Sequence, residues 1–241
     1  MLAAAVVCPC PPLLVPEVAA GAAPELDTLR AACADALGIL AAARPTRLLV
    51  IGASADTVSA GTARHPEGAA GTFRGYGVPL DVRLGRGGER SGPHAALPPS
   101  LTVAAALLTS ADWTTCPVDG LSVGPARSSA DCLETGREAV AGPGRTVLLV
   151  MGDGSASRTV KAPGYLDERA EPFDAEAGRA LRTADTEALA ALDADLAREL
   201  RATGRAPWQV LSGAASGAGL RGESLYEEAP YGVGYFVAAW S

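Results

Sequence analysis

The amino-acid sequence predicts an α/β fold: one domain over residues 1–241, with a mostly parallel central sheet and helices on both faces. Three observations predict it. Short apolar runs at Leu2–Cys8, Arg47–Ile51 and Val147–Met151 each have the length of a strand buried on both faces. Segments with apolar residues at helical spacing lie between and after them. The composition, 48% hydrophobic and only 5% aromatic, favours close-packed helices against a Val/Leu sheet over an all-β sandwich. The chain is long enough to bury a substantial core, and no low-complexity linker or repeat divides it.

Taken in order, Leu2–Cys8 is the first strand, and Pro9, Pro11, Pro12 and Pro16 force an extended loop after it. Leu26, Leu29, Ala32, Cys33, Ala36, Leu37 and Leu40 mark a helix over Pro24–Ala43, with Pro24 in its first turn. Arg47–Ile51 is the second strand and runs into Gly52-Ala53-Ser54-Ala55-Asp56. Residues 59–92 read as loop, with one strand over Val78–Leu84 and with Phe73 and Tyr76 pinning the segment to the body. Helices are predicted over Pro98–Ala111 and Ser129–Ala141, the second capped by Ser128 or Ser129, with a short strand at Asp119–Val123 between them. The central strand Val147–Met151 breaks into Gly152-Asp153-Gly154-Ser155, and a polar loop covers Arg158–Pro172. Helices follow over Phe173–Leu181, Thr186–Ala202 and Pro207–Ala215, with Trp208 as a core anchor. The last strand is Tyr231–Trp240.

Charge and cysteine usage narrow the class of function. Net charge is −7 and no basic stripe is visible, which argues against a nucleic-acid partner. The apolar N-terminus lacks a basic flank and is interrupted by prolines, and no run reaches transmembrane length, so neither export nor a membrane is expected. Five cysteines, an odd number without an export signal, point to a reduced, cytoplasmic chain.

A buried parallel strand that ends in a Gly-rich turn delivers its next polar residues to the carboxyl edge of the sheet, where open α/β sheets bind ligands. Asp153 and Ser155 are therefore the candidate catalytic residues. Asp153 suits a general base or a metal ligand, and equally a turn cap that binds its own backbone. Ser155 and Ser54 have the chemistry of nucleophiles, but no histidine is placed by the sequence to activate either. The turn lacks the Lys-Ser/Thr of a P-loop, which disfavours a phosphate site. Cys8 and Cys10 form a Cys-x-Cys pair at the mouth of the first strand. One reading is a zinc site shared with Asp153 or, on the family resemblance described next, with Glu228; the favoured one is a structural Cys8 beside an idle Cys10. Cys33 falls on the core face of its helix. Lys161, Tyr165 and Arg169 either close over an anionic or aromatic ligand or form a solvated loop, the latter being favoured.

Four local patterns fall in order along the chain: Pro9-Cys10-Pro11-Pro12; Gly52-Ala53-Ser54; Gly152-Asp153-Gly154-Ser155-Ala156 with Gly164-Tyr165 and Phe173-Asp174 after it; and Tyr226–Tyr235, YEEAPYGVGY. Together they resemble the catalytic subunit of the class III extradiol ring-cleaving dioxygenases (LigB-type), across nearly the whole chain. The resemblance implies ferrous iron held by two histidines and a glutamate, with open positions for catechol and dioxygen, and a third histidine as acid/base. Carried over position by position, the first ligand falls on Cys10, the second on Ser54 or Ala53, and the acid/base on Ala156. Of the triad only the glutamate, Glu228, remains.

The expected pocket is thus Cys10, Ser54, Asp153, Ala156 and Glu228, and any metal set shrinks to Cys10 and Glu228. The two histidines of the chain, His65 and His94, are read as exposed loop residues. The favoured expectation is a divergent member without ring-cleaving activity or a resident cofactor, whose pocket takes a small organic or aromatic ligand or docks a partner protein. The alternatives are an enzyme with zinc in a rewired Cys/Asp/Glu site, and an active Fe(II) dioxygenase on an aromatic diol using the loop histidines. The family resemblance also implies a homodimer.

Overall fold

In the computed structural model, residues 1–87 and 96–241 are described. Strand β1 (Leu2–Cys8) leads through helix α1 (Pro16–Ala19) and a 3-10 stretch over Ala20–Leu26 into α2 (Asp27–Ala42). Strands β2 (Arg47–Ala53) and β3 (Thr62–His65) precede a hairpin of β4 (Ala70–Thr72) and β5 (Asp81–Arg83). Next come α3 (Pro99–Ser110), β6 (Val118–Val123), α4 (Ser129–Ala139) and β7 (Thr146–Met151). The chain then runs through α5 (Ala170–Thr183), α6 (Thr186–Ala191), α7 (Ala194–Glu199), α8 (Arg205–Ala215), β8 (Gly222–Glu228) and β9 (Tyr235–Trp240).

The main sheet has the order β3-β6-β2-β7-β1-β9-β8. Its four central strands, β6, β2, β7 and β1, are mutually parallel. The additions at both edges are antiparallel. Every residue of β7 is buried, as expected for a strand covered on both faces. Val147, Leu149 and Met151 pack into the layer of α2 and α3, while Leu148 and Val150 pack into that of α5 and α8. The alternating direction of side chains along a strand divides one apolar run between two cores. Trp208 anchors the second core, edge-on to Phe236 with ring centroids 5.8 Å apart.

The α/β architecture, with helices on both faces, is the one the sequence predicts. Several boundaries differ, each for a local reason. Helix α2 starts at Asp27, because Pro24 sits in the preceding 3-10 stretch. The single helix expected over Thr186–Ala202 is two, broken where the Asp193 carboxylate accepts the N–H groups of Asp195 and Leu196 at 2.8 and 3.0 Å. Two further strands, β3 and β4, occupy ground that reads as loop. The strand expected over Tyr231–Trp240 starts at Tyr235, behind a turn in which Gly232 takes φ +73°. Its partner β8 is a strand where the sequence predicts none.

Helices α4 and α8 meet backbone to backbone. A Cβ on Gly136 would lie 2.0 Å from the Val210 carbonyl oxygen, and one on Gly213 would lie 2.0 Å from that of Leu133. Gly213→Ala is expected to force the helices apart at a cost of about 1–3 kcal/mol. A urea midpoint equal to that of the parent would show that this contact does not hold the layer together.

Candidate functional site

Parallel pairing aligns the ends of the central strands. Cys8 of β1 and Gly52 of β2 both stand opposite Met151 of β7, so the chain leaves all three strands at one level. Beyond that level the β1 and β7 loops bind each other. The Gly152 N–H donates to the Cys8 carbonyl at 3.0 Å. The Cys10 N–H donates to Asp153 Oδ1 at 2.7 Å, and the Cys10 thiol faces Asp153 Oδ2 at 3.8 Å. The Asp153 backbone is fixed in turn by the segment before α8: its N–H donates to Thr203 Oγ1 at 3.1 Å, and its carbonyl accepts the Gly204 N–H at 2.8 Å. This approach requires glycine at 152, where a Cβ would stand 2.4 Å from the Gly204 Cα.

Cys10 and Asp153 are half-buried, and among the described residues no basic side chain pairs with Asp153. Burial pushes the Asp153 carboxyl up to about 6, against the pull of two hydrogen bonds from Cys10. Burial, and then the neighbouring Asp153 charge, hold the Cys10 thiol well above the ordinary thiol range, with Thr203 pulling the other way. Tyr235, the buried first residue of β9, has its phenol raised by burial and by the charges of Asp153 and Cys10. A carboxyl that titrates about pH 6 beside a protonated thiol can take up and return a proton near neutrality.

The other expected site residues fall into separate environments. Ser54 follows β2 at the same edge, but its hydroxyl donates to the Asp56 carbonyl at 3.0 Å in a local turn. Ala156 is buried, and its backbone is tied to Leu200 and Gly164. Ser155 is fully buried, and its hydroxyl and N–H both donate to Asp174, at 2.7 Å each. That carboxylate also accepts Arg158 Nη1 at 3.3 Å, so the Ser155 hydroxyl is engaged as a donor within a structural network. Glu228 ends β8 at the carboxyl edge, where it is exposed and accepts the Tyr226 hydroxyl at 3.1 Å. Burial, and then Glu228, push the Tyr226 phenol up to about 12. The cavity that Glu228 lines, about 220 Å³, also includes Arg158, Glu171 and Asp174 but neither Cys10 nor Asp153.

His65 is not an exposed loop residue. It closes β3, is buried, and lies 3.0 Å from Ser122 Oγ, with burial lowering its pKa. It stands opposite Gly120, three residues before the end of β6, away from the carboxyl edge. His94 lies outside the described residues. Cys8 and Cys33 are buried, and the Cys33 thiol and burial together raise Cys8. Arg169 is held by Asp167 and Glu199, while Tyr165 is exposed at φ +62°. Sequence reasoning missed Thr203 and Tyr235. Tyr235 stands in the YEEAPYGVGY pattern without a chemical signal of its own, and Thr203 carries none either, being brought in only by the packing of α7 and α8.

Among the described residues, no group of three or more His, Cys, Asp or Glu side chains is placed to hold a metal ion. Cys10 and Asp153 alone would offer one protonated thiol and one carboxylate. That donor set does not fit the two-nitrogen, one-carboxylate site of ferrous oxygenases. No helix among the described residues is long and apolar enough to cross a membrane.

The chain matches no protein-family model and no curated protein. Among solved structures it is similar to that of an uncharacterized protein, JW3007, from Escherichia coli K12, with a TM-score of 0.52 and 15% identity over 99% of each chain. At that identity the likeness speaks for the fold over the full length: this chain shares the α/β architecture of the bacterial protein.

Proposed function

We propose that the carboxyl-edge site centred on Cys10 and Asp153 binds a small organic ligand, and that the protein does not cleave catechol rings. The observation that carries this reading is the half-buried Asp153 carboxyl, which has no cationic partner among the described residues and titrates about pH 6. A carboxyl kept in such a state costs folding energy, and such groups gather at functional sites. A ligand hydroxyl or amine donated to Asp153 would supply the missing partner. Cys10 and Tyr235 add polar edges for orientation. On this reading the chain is a divergent relative of the extradiol dioxygenases. Its iron-ligand positions hold Cys10 and Ser54, and its acid/base position holds Ala156.

Two measurements test it. Ligand-observed NMR with small phenols and amines should give saturation-transfer signals that fall in Asp153→Asn and persist in Glu228→Ala. Signals unchanged in Asp153→Asn would remove Asp153 from the site. Protein purified without chelators should carry no stoichiometric iron and consume no oxygen with protocatechuate. Iron at one equivalent together with a yellow ring-cleavage product would overturn the reading in favour of an active dioxygenase. Zinc at one equivalent, lost in Cys10→Ala, would favour the rewired metal site instead.

A further inference from the structure

A second cavity, of about 360 Å³, lies on the α2–α3 face and contains none of the carboxyl-edge residues. Leu14 and Leu37 form part of its wall, with Leu80 and Val82 from the hairpin segment and Leu107 from α3. Its volume falls within the range of small-molecule sites, and its wall is mainly apolar. Arg30, Ala34 and Leu37 line it from one face of α2, at the spacing of successive helical turns.

The cation in this wall is incompletely satisfied. Arg30 Nη2 donates to Asp27 at 2.6 Å and to the Ala23 carbonyl. Arg30 Nη1 is buried with no hydrogen-bond partner among the described residues. A buried charged donor without an acceptor is costly, and an acceptor in the cleft recovers that cost when the partly exposed Arg30 side chain turns Nη1 toward it. Two carboxylates, Asp27 bonded to Arg30 and Glu17 in the cavity wall, outnumber the single guanidinium. An anionic ligand would add a third negative charge to an already negative rim, so the complementary ligand is uncharged.

We propose that the cleft between α2 and α3 is a second small-molecule site, for a neutral apolar ligand whose carbonyl-type oxygen accepts a hydrogen bond from Arg30. The site is independent of the carboxyl edge and does not rest on the reading given for Asp153.

The test uses the full chain and the neutral naphthyl-ketone fluorophore Prodan, with dimethylaminonaphthalene, which lacks the carbonyl, as its control. Prodan should bind saturably with blue-shifted emission. Ala34 is exposed at the cleft wall, so Ala34→Trp plugs the cleft without disturbing the core and should abolish binding. Arg30→Lys keeps a cation beside Asp27 but has no second guanidinium nitrogen. It should weaken Prodan about tenfold, the scale of one charged hydrogen bond, and leave dimethylaminonaphthalene unchanged. Circular dichroism confirms that both variants fold. Absence of saturable binding, or binding indifferent to Ala34→Trp, would overturn the site. Equal Prodan affinity in the parent and Arg30→Lys would overturn the role of the carbonyl.

Discussion

Asp174→Ala is expected to lower the free energy of unfolding by about 3–5 kcal/mol, the scale for removing one partner from a buried charged pair. The carboxylate projects from α5 into the turn after β7 and is almost fully buried. It accepts the Ser155 N–H and hydroxyl at 2.7 Å each, and Arg158 at 3.3 Å. Truncation would strand two buried donors and leave a guanidinium with only the long contact to Glu171 at 3.7 Å. The fit is tight: a Cβ on Gly154 or Gly234 would stand 2.7 or 2.6 Å from the Asp174 oxygens, so water has little room to replace them. Asp174→Asn keeps the shape and one acceptor and should cost less than half as much. Urea denaturation of the two variants reads the difference, and a loss below about 1 kcal/mol in Asp174→Ala would show that the network is dispensable.

The second large effect is a dependence on pH. Asp153 in the folded chain titrates about pH 6, above the ordinary carboxyl value of 3.8. A carboxyl raised in this way contributes stability that is complete below its unfolded pKa and is lost as pH rises through the folded one. The native protein should therefore lose stability relative to Asp153→Asn between about pH 4 and pH 7. About two pKa units correspond to about 3 kcal/mol, and partial solvent access to the group reduces that to about 2. Asparagine keeps an acceptor for the Cys10 N–H and does not titrate in this range. Chemical denaturation of both proteins at pH 4, 5.5 and 7.5 measures the gap. A gap constant with pH would mean that Asp153 ionises as freely folded as unfolded, and would remove the electrostatic basis of the proposed ligand site.

What the sequence made legible follows from how much of each signal is local. β1, β2 and β7 are apolar runs closed by Pro or Gly, and their burial on both faces leaves little ambiguity. Ser128 announces α4 through its own side chain, which accepts the Asp131 N–H at 3.1 Å. β3 and β8 escaped because they are edge strands with mostly exposed residues, such as Thr62, Arg64 and Glu223, so neither carries the apolar alternation that betrays a half-buried strand. The break before α7 escaped because Leu189, Leu192 and Leu200 are all buried across it, so the leucine pattern carries straight through. In the site, Cys10 and Asp153 were placed together by the rule that ligands gather at the ends of parallel strands. Thr203 and Tyr235 reach them through folding of distant segments, and the engagement of Ser155 by Asp174 depends on the placement of α5.

The place of β1 in the sheet has a consequence for synthesis. β1 lies between β7 and β9, so it pairs on one side with Thr146–Met151 and on the other with Tyr235–Trp240, a strand made long after β1 itself. At elongation rates of about 5–20 residues per second it waits on the order of ten seconds or more for its second neighbour. Until β9 arrives, an apolar segment with an unpaired edge needs shielding, by chaperones or by transient burial against the nascent α2. A chain that stops short of β9 would leave that exposure permanent, turning the centre of the native sheet into an open edge.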